Sequence, residues 1–270
     1  MAIIAMSREL GSLGTVIGTA VALKLGYDYI YQEITSEAAR DYEVVEEQLI
    51  RVVEKAPRLL ERLKGDYRRY QSFVQAQVYK AAQRDNVILI GRWSTLLLRE
   101  VGHAIRVRVT APEEVRAQRV MDMMQVGKEK ALEMVRENDM ERGERMAHVY
   151  GVDWKAPHLY DLVLNTEKVS LEAAAQLIEG LARRPEYQAT EESRRKLDSL
   201  AMVSAIRAKL KAHRSTRDVD VDIQARDGEV VLTGVVANEA EKKALERMVK
   251  GMKGVRALES HLRVMALPVR

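Results

Sequence analysis

Short apolar runs alternate with longer segments of helical spacing over the first two thirds of the chain. Because continuous apolar runs of this length are typical of strands buried on both faces, we predict strands over 2–6, 29–31, 86–91, 105–109 and 159–164. Helical spacing predicts helices over about 16–25, 36–84, 96–98, 113–146 and 171–181. Strands that alternate with helices predict an α/β fold, with a parallel sheet covered by helices.

The pattern changes near residue 185. Residues 185–196 are polar and lack periodicity, so we predict a linker there. Beyond it, the pattern predicts a helix over 200–210, two alternating strands on either side of Asp227-Gly228, a helix over about 239–250 and a strand over 261–265. We therefore expect a domain over 1–184, the linker 185–196, and a small α+β domain of order α-β-β-α-β over 197–267.

The composition narrows the class of protein. Hydrophobic residues make up 47% of the chain, which is ordinary for a globular protein and excludes wholesale disorder. Cysteine is absent, which excludes disulfides, thiolate metal sites and a cysteine nucleophile. No apolar run is long enough for a membrane span, and no signal peptide is evident, so we expect a cytoplasmic protein. The histidines lack metal-ligand spacing, and no Ser-His-Asp arrangement is expected.

Positive charge is concentrated in the C-terminal part of the chain. From Thr190 onward there are 17 Lys and Arg against 12 Asp and Glu, whereas the rest of the chain carries 27 against 28. Four basic residues share part of one predicted helix surface: Lys242, Lys243, Arg247 and Lys250. This surface favours docking of residues 197–267 onto an anionic membrane surface or a protein partner; the alternative is a solvated helix with interleaved glutamates. Aromatic residues are only 5% of the chain, so no specific nucleic-acid binding is expected.

A glycine-bearing loop joins the first predicted strand to the first predicted helix. It reads Ser7-Arg8-Glu9-Leu10-Gly11-Ser12-Leu13-Gly14-Thr15. A strand, a glycine loop and a helix in direct succession favour phosphate binding, because backbone N–H groups point inward and the helix N-terminus adds partial positive charge. The loop lacks the lysine and the first glycine of the Walker A pattern, so a purely structural turn is the alternative.

Further motifs follow in order along residues 1–181. The segments are S-R-E-L-G-S-L-G at 7–14, K-L-G at 24–26, G-R at 91–92, A-P-E-E-V-R-A-Q-R at 111–119, R-E-N-D-M-E-R at 136–142, and Trp154 followed by Y-D-L-V-L-N-T at 160–166. Together they resemble the cytidylate-kinase-like family of P-loop proteins. The chain departs from the family pattern at Leu13, where glycine is usual, at Thr15, where arginine is frequent, and at Trp93-Ser94, where Gly-Ala is usual. Segment 30–33 also lacks an acid and a base of that pattern.

The resemblance implies a P-loop kinase-like fold and transfer of the γ-phosphate of ATP to a nucleoside monophosphate such as CMP. The implied phosphate-binding residues are Arg8, Gly11, Ser12, Leu13, Gly14 and Thr15. Thr15 is also a candidate Mg²⁺ ligand, with capping of its helix as the alternative.

The resemblance also implies roles for four residues outside the loop. Arg92 would hold the acceptor phosphate, or else form an interhelical ion pair. Arg136 and Arg142 would close on the phosphates as a lid, or else belong to a solvated helix face. Asp161 would contact a base or a lid arginine, or only support the end of its strand.

The C-terminal segment resembles a BON domain, a small α-β-β-α-β unit implicated in phospholipid or ligand binding. Residues 227–236 and 251–255 carry this resemblance. This resemblance implies a sensing or docking module, and it suggests an alternative to the catalytic function. In that alternative the chain is a catalytically degenerate, nucleotide-sensing regulatory protein that acts through its BON-like module. The missing Walker lysine and the altered Tyr31-Gln32 segment favour it.

Overall fold

The structure is a computed structural model that describes residues 2–55, 66–91 and 93–265. A five-stranded sheet of order β2-β3-β1-β4-β5 forms the larger domain, and all of its neighbouring strands are parallel. Its strands are β1 (Ile3–Arg8), β2 (Asp28–Ile30), β3 (Val87–Ile90), β4 (Ala104–Thr110) and β5 (Leu162–Asn165). We call it the parallel-sheet domain. The predicted α/β fold is confirmed.

Helices cover both faces of this sheet. They are α1 (Gly14–Leu25), α2 (Glu33–Asp41), α3 (Glu46–Glu54), α4 (Asp66–Ala82), α5 (Ser94–Leu97), α6 (Glu113–Met124), α7 (Lys128–Tyr150) and α8 (Leu171–Ala182). Because successive strand residues point to opposite faces, Ile3 and Ala5 pack with α2–α5, whereas Ile4 and Met6 pack with α1 and α8. Among the described helices, none combines the length and apolar character needed to cross a membrane.

Several predicted boundaries are wrong. The helical stretch predicted over 36–84 contains a break between α2 and α3, where Glu43 has a φ of 52° and the chain turns. Residues 56–65 of this predicted stretch lie outside the described residues. The strand predicted over 159–164 begins only at Leu162, because residues 157–159 form a 3₁₀ turn that starts at a proline.

A smaller unit, which we call the C-terminal module, has the predicted order α-β-β-α-β. It contains α9 (Glu191–Ala212), β6 (Asp222–Arg226), β7 (Glu229–Val236), α10 (Glu239–Lys250) and β8 (Ala257–Val264). Strands β6 and β7 are antiparallel, and β7 and β8 are parallel. The last strand therefore starts earlier than the predicted 261–265, because parallel pairing with β7 extends back to Ala257.

Helix α9 joins the two units and begins inside the segment predicted as a linker, 185–196. Its N-terminus is capped, because Thr190 Oγ1 accepts a hydrogen bond from Ser193 N at 3.1 Å while Ser193 Oγ accepts one from Thr190 N at 2.9 Å. Leu197 packs in the core of the parallel-sheet domain, and Ile206 packs in the core of the C-terminal module. The helix predicted over 200–210 is therefore longer, since both cores bury part of it.

Candidate functional site

A cavity of about 500 Å³ opens at the carboxyl ends of β1 and β3. Its lining includes the loop between β1 and α1, the end of α3 and the second half of α7. Four arginines line it: Arg8, Arg119, Arg142 and Arg145. The carboxyl ends of parallel strands are where α/β sheets bind ligands, and guanidinium groups suit phosphate oxygens. The cavity therefore favours a phosphorylated ligand.

The loop between β1 and α1 keeps the backbone of a glycine-rich turn. Gly11 has a φ of +77°, and a Cβ there would lie 2.5 Å from the carbonyl oxygen of Arg116. Gly14 is also confined, since its Cβ would lie 2.5 Å from the Cβ of Arg8. Leu13 has a φ of 65°, in the left-handed region that costs a residue with a side chain roughly 1–2 kcal/mol. The loop thus retains its shape although the usual glycine is missing.

A buried carboxylate anchors the start of this loop. Glu9 is 4% exposed, and it accepts hydrogen bonds from Arg108 Nη2 at 2.5 Å and from Thr110 Oγ1 at 2.7 Å. Its carboxylate also lies 3.2 Å from Arg116 Nε, and Arg116 pairs with Asp139 at 2.8 Å. Each buried charge therefore has an opposite charge beside it, which joins the loop to β4, α6 and α7.

Arg119 and Thr166 engage the carbonyl groups of the loop. Arg119 Nη1 donates to the carbonyl of Gly11 at 3.2 Å, and the Thr166 hydroxyl donates to the carbonyl of Ser12 at 3.0 Å. The Ser12 hydroxyl is fully buried and donates to the carbonyl of Glu9 at 2.7 Å, so Ser12 can offer a ligand only its backbone. The first N–H groups of α1 have no acceptor within the helix, and they remain for an anion.

Arg8 reaches across the loop to the position that follows Gly14. Its Nε donates to Thr15 Oγ1 at 2.6 Å, and its guanidinium carbon lies 4.5 Å from the centroid of the Tyr31 ring. Arg8 thus places a cation at the position where a Walker lysine would stand. A divalent cation bound to the Thr15 hydroxyl would face this guanidinium, so the arrangement does not fit Thr15 as a Mg²⁺ ligand.

Arg142 and Arg145 extend from α7 into the same cavity. Arg142 Nη1 donates to Ser7 Oγ at 3.4 Å, and its guanidinium carbon lies 5.0 Å from the centroid of the Trp154 ring. Its buried Nε has no hydrogen-bond partner among the described residues. Burial, together with the positive charges of Arg145 and Arg8, lowers the pKa of Arg142 to about 10. A bound phosphate would relieve both effects, because it would pair with the charge and accept hydrogen bonds.

Two other predicted site residues do not join this cluster. Arg136 is exposed, pairs with Glu113 at 2.7 Å and does not line the cavity. Asp161 stands at the amino end of β5, away from the loop, and accepts hydrogen bonds from Arg106 N at 2.8 Å and Arg106 Nη2 at 2.6 Å. Arg92 lies outside the described residues. Of the predicted residues outside the loop that the structure describes, it thus brings Arg142 alone together with the loop.

Several contacts of the site were not predicted. Arg145 follows Arg142 by three residues on one helix, so helical spacing could have placed both on one face. Trp154 lies 5.0 Å from both Arg108 and Arg142, which is close enough for cation–π attraction to each. Nothing in the local sequence around Trp154 shows that these two arginines flank its ring.

Three residues that are distant in the sequence, Asp85, His103 and Ser193, form a buried polar cluster beside α9. His103 is fully buried, and its Nδ1 lies 2.8 Å from Ser193 Oγ while its Nε2 lies 3.3 Å from Asp85 Oδ1. The Ser193 hydroxyl also belongs to the cap of α9, where it contacts Thr190. Burial lowers the pKa of His103, and Asp85 opposes this shift. With no exposed nucleophile, the cluster fastens α9 to the parallel-sheet domain.

Curated relatives of this chain are cytidylate kinases of low identity. A cytidylate kinase from Thermococcus sibiricus is 34% identical over 95 residues, and the match covers 35% of this chain and 48% of that enzyme. The chain thus spans about half the length of this relative. A cytidylate kinase from Pyrococcus horikoshii is 24% identical over 65% of this chain and 85% of its own length.

A solved structure of an uncharacterized protein from Eubacterium ventriosum shares the fold. It superposes with a TM-score of 0.54 at 19% identity, covering 68% of this chain and 100% of that chain. Residues 201–266 match the model of the BON domain. Residues 3–168, more than half of the chain, match the model of the cytidylate kinase-like family. The chain therefore belongs to the cytidylate kinase-like family and carries a BON domain after its kinase-like domain.

Proposed function

We propose that this chain transfers the γ-phosphate of ATP to a nucleoside monophosphate such as CMP. The observation that carries the proposal is the convergence of arginines on a glycine loop at the carboxyl ends of parallel strands. Phosphoryl transfer depends mainly on positioning and on charge neutralisation, and the cavity offers backbone N–H groups and guanidinium groups for both. The cytidylate kinases that the chain resembles support a nucleotide as acceptor.

The donor and the transferred group would contact different parts of the cavity. The backbone from Gly11 to Thr15 would bind the donor phosphates, with Arg8 beside them. An acceptor oxygen would form a bond to the γ-phosphorus while the bond to the bridging oxygen breaks and ADP leaves. Arg142 and Arg145 would stabilise the charge on the transferred oxygens. Arg92 is proposed to hold the acceptor phosphate.

ATP and Mg²⁺ are the cofactors of this proposal. When bound, Mg²⁺ neutralises charge on the donor phosphates. Because the Thr15 hydroxyl already accepts a hydrogen bond from Arg8, we propose that the ion is held by phosphates and water rather than by Thr15. This preference suits Mg²⁺, which usually retains several of its waters in proteins.

A coupled assay over all ribonucleoside and deoxyribonucleoside monophosphates tests the proposal. Arg142→Gln should lower kcat/KM at least about tenfold, which corresponds to about 1.4 kcal/mol of lost transition-state stabilisation. Lys130→Gln is the matched control, because Lys130 lies on the same helix, is exposed and pairs with Glu133. Arg136→Gln tests the predicted lid. If it lowers kcat/KM as much as Arg142→Gln does, Arg136 closes on the phosphates during turnover. Absence of turnover with every acceptor would contradict catalysis.

The departures in the loop favour a second function, in which the chain senses a nucleotide without catalysis and acts through its BON domain. Thr15 stands where a basic residue is frequent in the family, and Leu13 and Trp93 hold left-handed backbone where glycine is usual. A nucleotide at 100 times its Kd would stabilise the chain by about 2.7 kcal/mol. A rise in Tm with a nucleotide but without turnover supports this function. If no nucleotide raises Tm, both the catalytic function and the sensing function are contradicted.

We also propose that α10 docks the chain onto an anionic membrane surface or a partner. Lys243, Arg247 and Lys250 are exposed on this helix. Exposed charges are screened beyond about 8–10 Å at physiological salt, so such binding should be weak and salt-sensitive. Cosedimentation of the full chain with anionic and neutral liposomes tests it. Equal recovery of the chain with both kinds of vesicle would exclude docking onto an anionic membrane surface and leave a protein partner as the alternative.

A further inference from the structure

A second cavity, of about 630 Å³, lies between the parallel-sheet domain and the C-terminal module. Helix α4 and the end of α2 line one side, and the β6–β7 turn and the segment between α10 and β8 line the other. Helix α9 lines the cavity between them. It shares no lining residue with the arginine-lined cavity. Its volume is typical of sites for small organic molecules.

Gln77, one of the residues that line this interdomain cavity, holds a buried hydrogen-bond acceptor without a partner in the described part of the chain. Gln77 is 2% exposed, and its Nε2 donates to Asp41 Oδ2 at 2.7 Å, which fixes the orientation of the amide. The Gln77 Oε1 atom is buried and has no hydrogen-bond partner among the described residues. An unpaired buried acceptor is unfavourable, because it has lost its water without gaining a hydrogen bond. A ligand whose N–H group reached Oε1 after a small adjustment of the lining would satisfy this acceptor and would therefore be favoured.

The cavity is also positively charged. Its basic lining residues are Lys80, Arg195, Arg226, Lys253 and Arg256. The lining holds three acidic residues against these five basic ones: Asp41 and Lys80 neutralise each other at 2.7 Å, whereas Asp198 accepts a hydrogen bond from the neutral amide of Gln83 at 2.6 Å and keeps its charge. The Arg226 side chain is 92% exposed and lies 3.9 Å from Asp227, the third acid. The net charge of the lining thus favours an anion.

Part of the lining is apolar and adaptable. It includes Tyr42, Met202, Ile206 and Met252. Methionine side chains are flexible and polarisable, so they pack readily against flat rings of different shapes. A ligand for this cavity therefore combines an anionic group, a flat ring and an N–H donor.

We propose that the interdomain cavity binds a nucleotide as an effector, separately from the arginine-lined cavity. The phosphate would pair with Arg226 and Lys253, the ring would pack on Tyr42 and the methionines, and an exocyclic amine or ring N–H would donate to Gln77 Oε1. The lining belongs to both units, so a bound nucleotide would hold the C-terminal module against the parallel-sheet domain. The inference does not depend on catalysis at the first cavity.

Hydrogen exchange of the full chain, followed by mass spectrometry, tests this site with CMP, AMP and inorganic phosphate as separate probes. Nucleotide should protect peptides that cover 226–228 and 252–256. Arg226→Gln/Lys253→Gln removes two exposed charges and should weaken this protection at least about tenfold in nucleotide concentration. Lys209→Gln/Arg263→Gln is the matched control, because both residues are exposed in the same module and lie outside the lining.

Gln77→Met tests the acceptor, since it removes Oε1 while keeping the length of the side chain. It should weaken protection by nucleotide, and the control variant should keep it. Absence of protection at 226–228 and 252–256 with millimolar nucleotide would overturn the proposal. Equal protection by inorganic phosphate would overturn the assignment to a nucleotide and leave a simple anion site. Protection of residues 7–15 reports binding at the arginine-lined cavity and is measured separately. A failure of the proposed function can therefore be distinguished from a failure of the interdomain site.

Discussion

Glu9→Gln is expected to destabilise the parallel-sheet domain strongly. The substitution keeps the size of the side chain but removes its charge, and it replaces one acceptor oxygen by an NH₂ group. That NH₂ group would face either the Arg108 guanidinium, which now donates to Glu9 at 2.5 Å, or the Thr110 hydroxyl, which now donates at 2.7 Å. In the first orientation a donor would face a donor, and in both orientations Arg116, whose Nε lies 3.2 Å from the carboxylate, would lose a counter-charge. The Glu9 side chain is 3% exposed, so water cannot compensate for either loss.

The expected magnitude follows from what each partner would keep. Arg116 would retain its pair with Asp139 at 2.8 Å, whereas Arg108 would retain only the Lys155 carbonyl at 2.7 Å and the face of Trp154. Removing one partner of a buried ion pair costs roughly 3–5 kcal/mol. Because one of the two arginines stays paired, we expect a loss near the lower end, about 3 kcal/mol in the free energy of unfolding.

Urea unfolding followed by tryptophan fluorescence measures this loss. Both tryptophans of the chain, Trp93 and Trp154, lie in the parallel-sheet domain, so the signal reports that domain and not the C-terminal module. Glu113→Gln is the control, because it removes an exposed pair with Arg136 and should leave the midpoint unchanged. A loss below about 1 kcal/mol in the free energy of unfolding for Glu9→Gln would refute the reasoning, because the buried ion pairs would then contribute no more than an exposed surface pair.

Three further predictions concern other parts of the fold. Thr166→Val removes the hydroxyl that joins Arg119 to the Ser12 carbonyl, so urea unfolding should show a loss of about 1–3 kcal/mol. Leu13→Gly should be more stable than Leu13→Ala by about 0.5–1 kcal/mol in thermal unfolding, since only glycine adopts a φ of 65° without strain. Burial lowers the pKa of His103 in the folded state, so the unfolded state binds its proton more readily. Stability should therefore fall as the pH drops below about 6.5, by up to about 1.4 kcal/mol per pH unit, and His103→Gln should flatten this slope.

The local pattern of the sequence predicted the layers of the fold. Apolar runs such as Ile3–Met6 and Val87–Ile90 are buried throughout, because strands in the middle of a parallel sheet have no solvated face. The loop at 7–15 was also found from its own residues, since glycines between a strand and a helix form a recognisable local signal. These features depend on residues that are neighbours in the chain.

The sequence could not decide which arginines face the loop. Arg136 and Arg142 both match the same motif, yet only Arg142 lines the cavity. At about 100° per residue, six residues turn a helix by about 240°, whereas the three residues from Arg142 to Arg145 leave both near one face. The face that meets the loop is set by how α7 packs on the domain.

What the sequence by itself determined was therefore the order of strands and helices, the two-unit organisation and the glycine loop. The tertiary structure decided that Glu9 meets Arg108, that His103 meets Ser193, and that α9 enters both cores. These partners are separated by tens of residues along the chain. Periodicity reports only which face of an element is apolar, so the meeting of distant charged and polar groups depends on the packing of those faces.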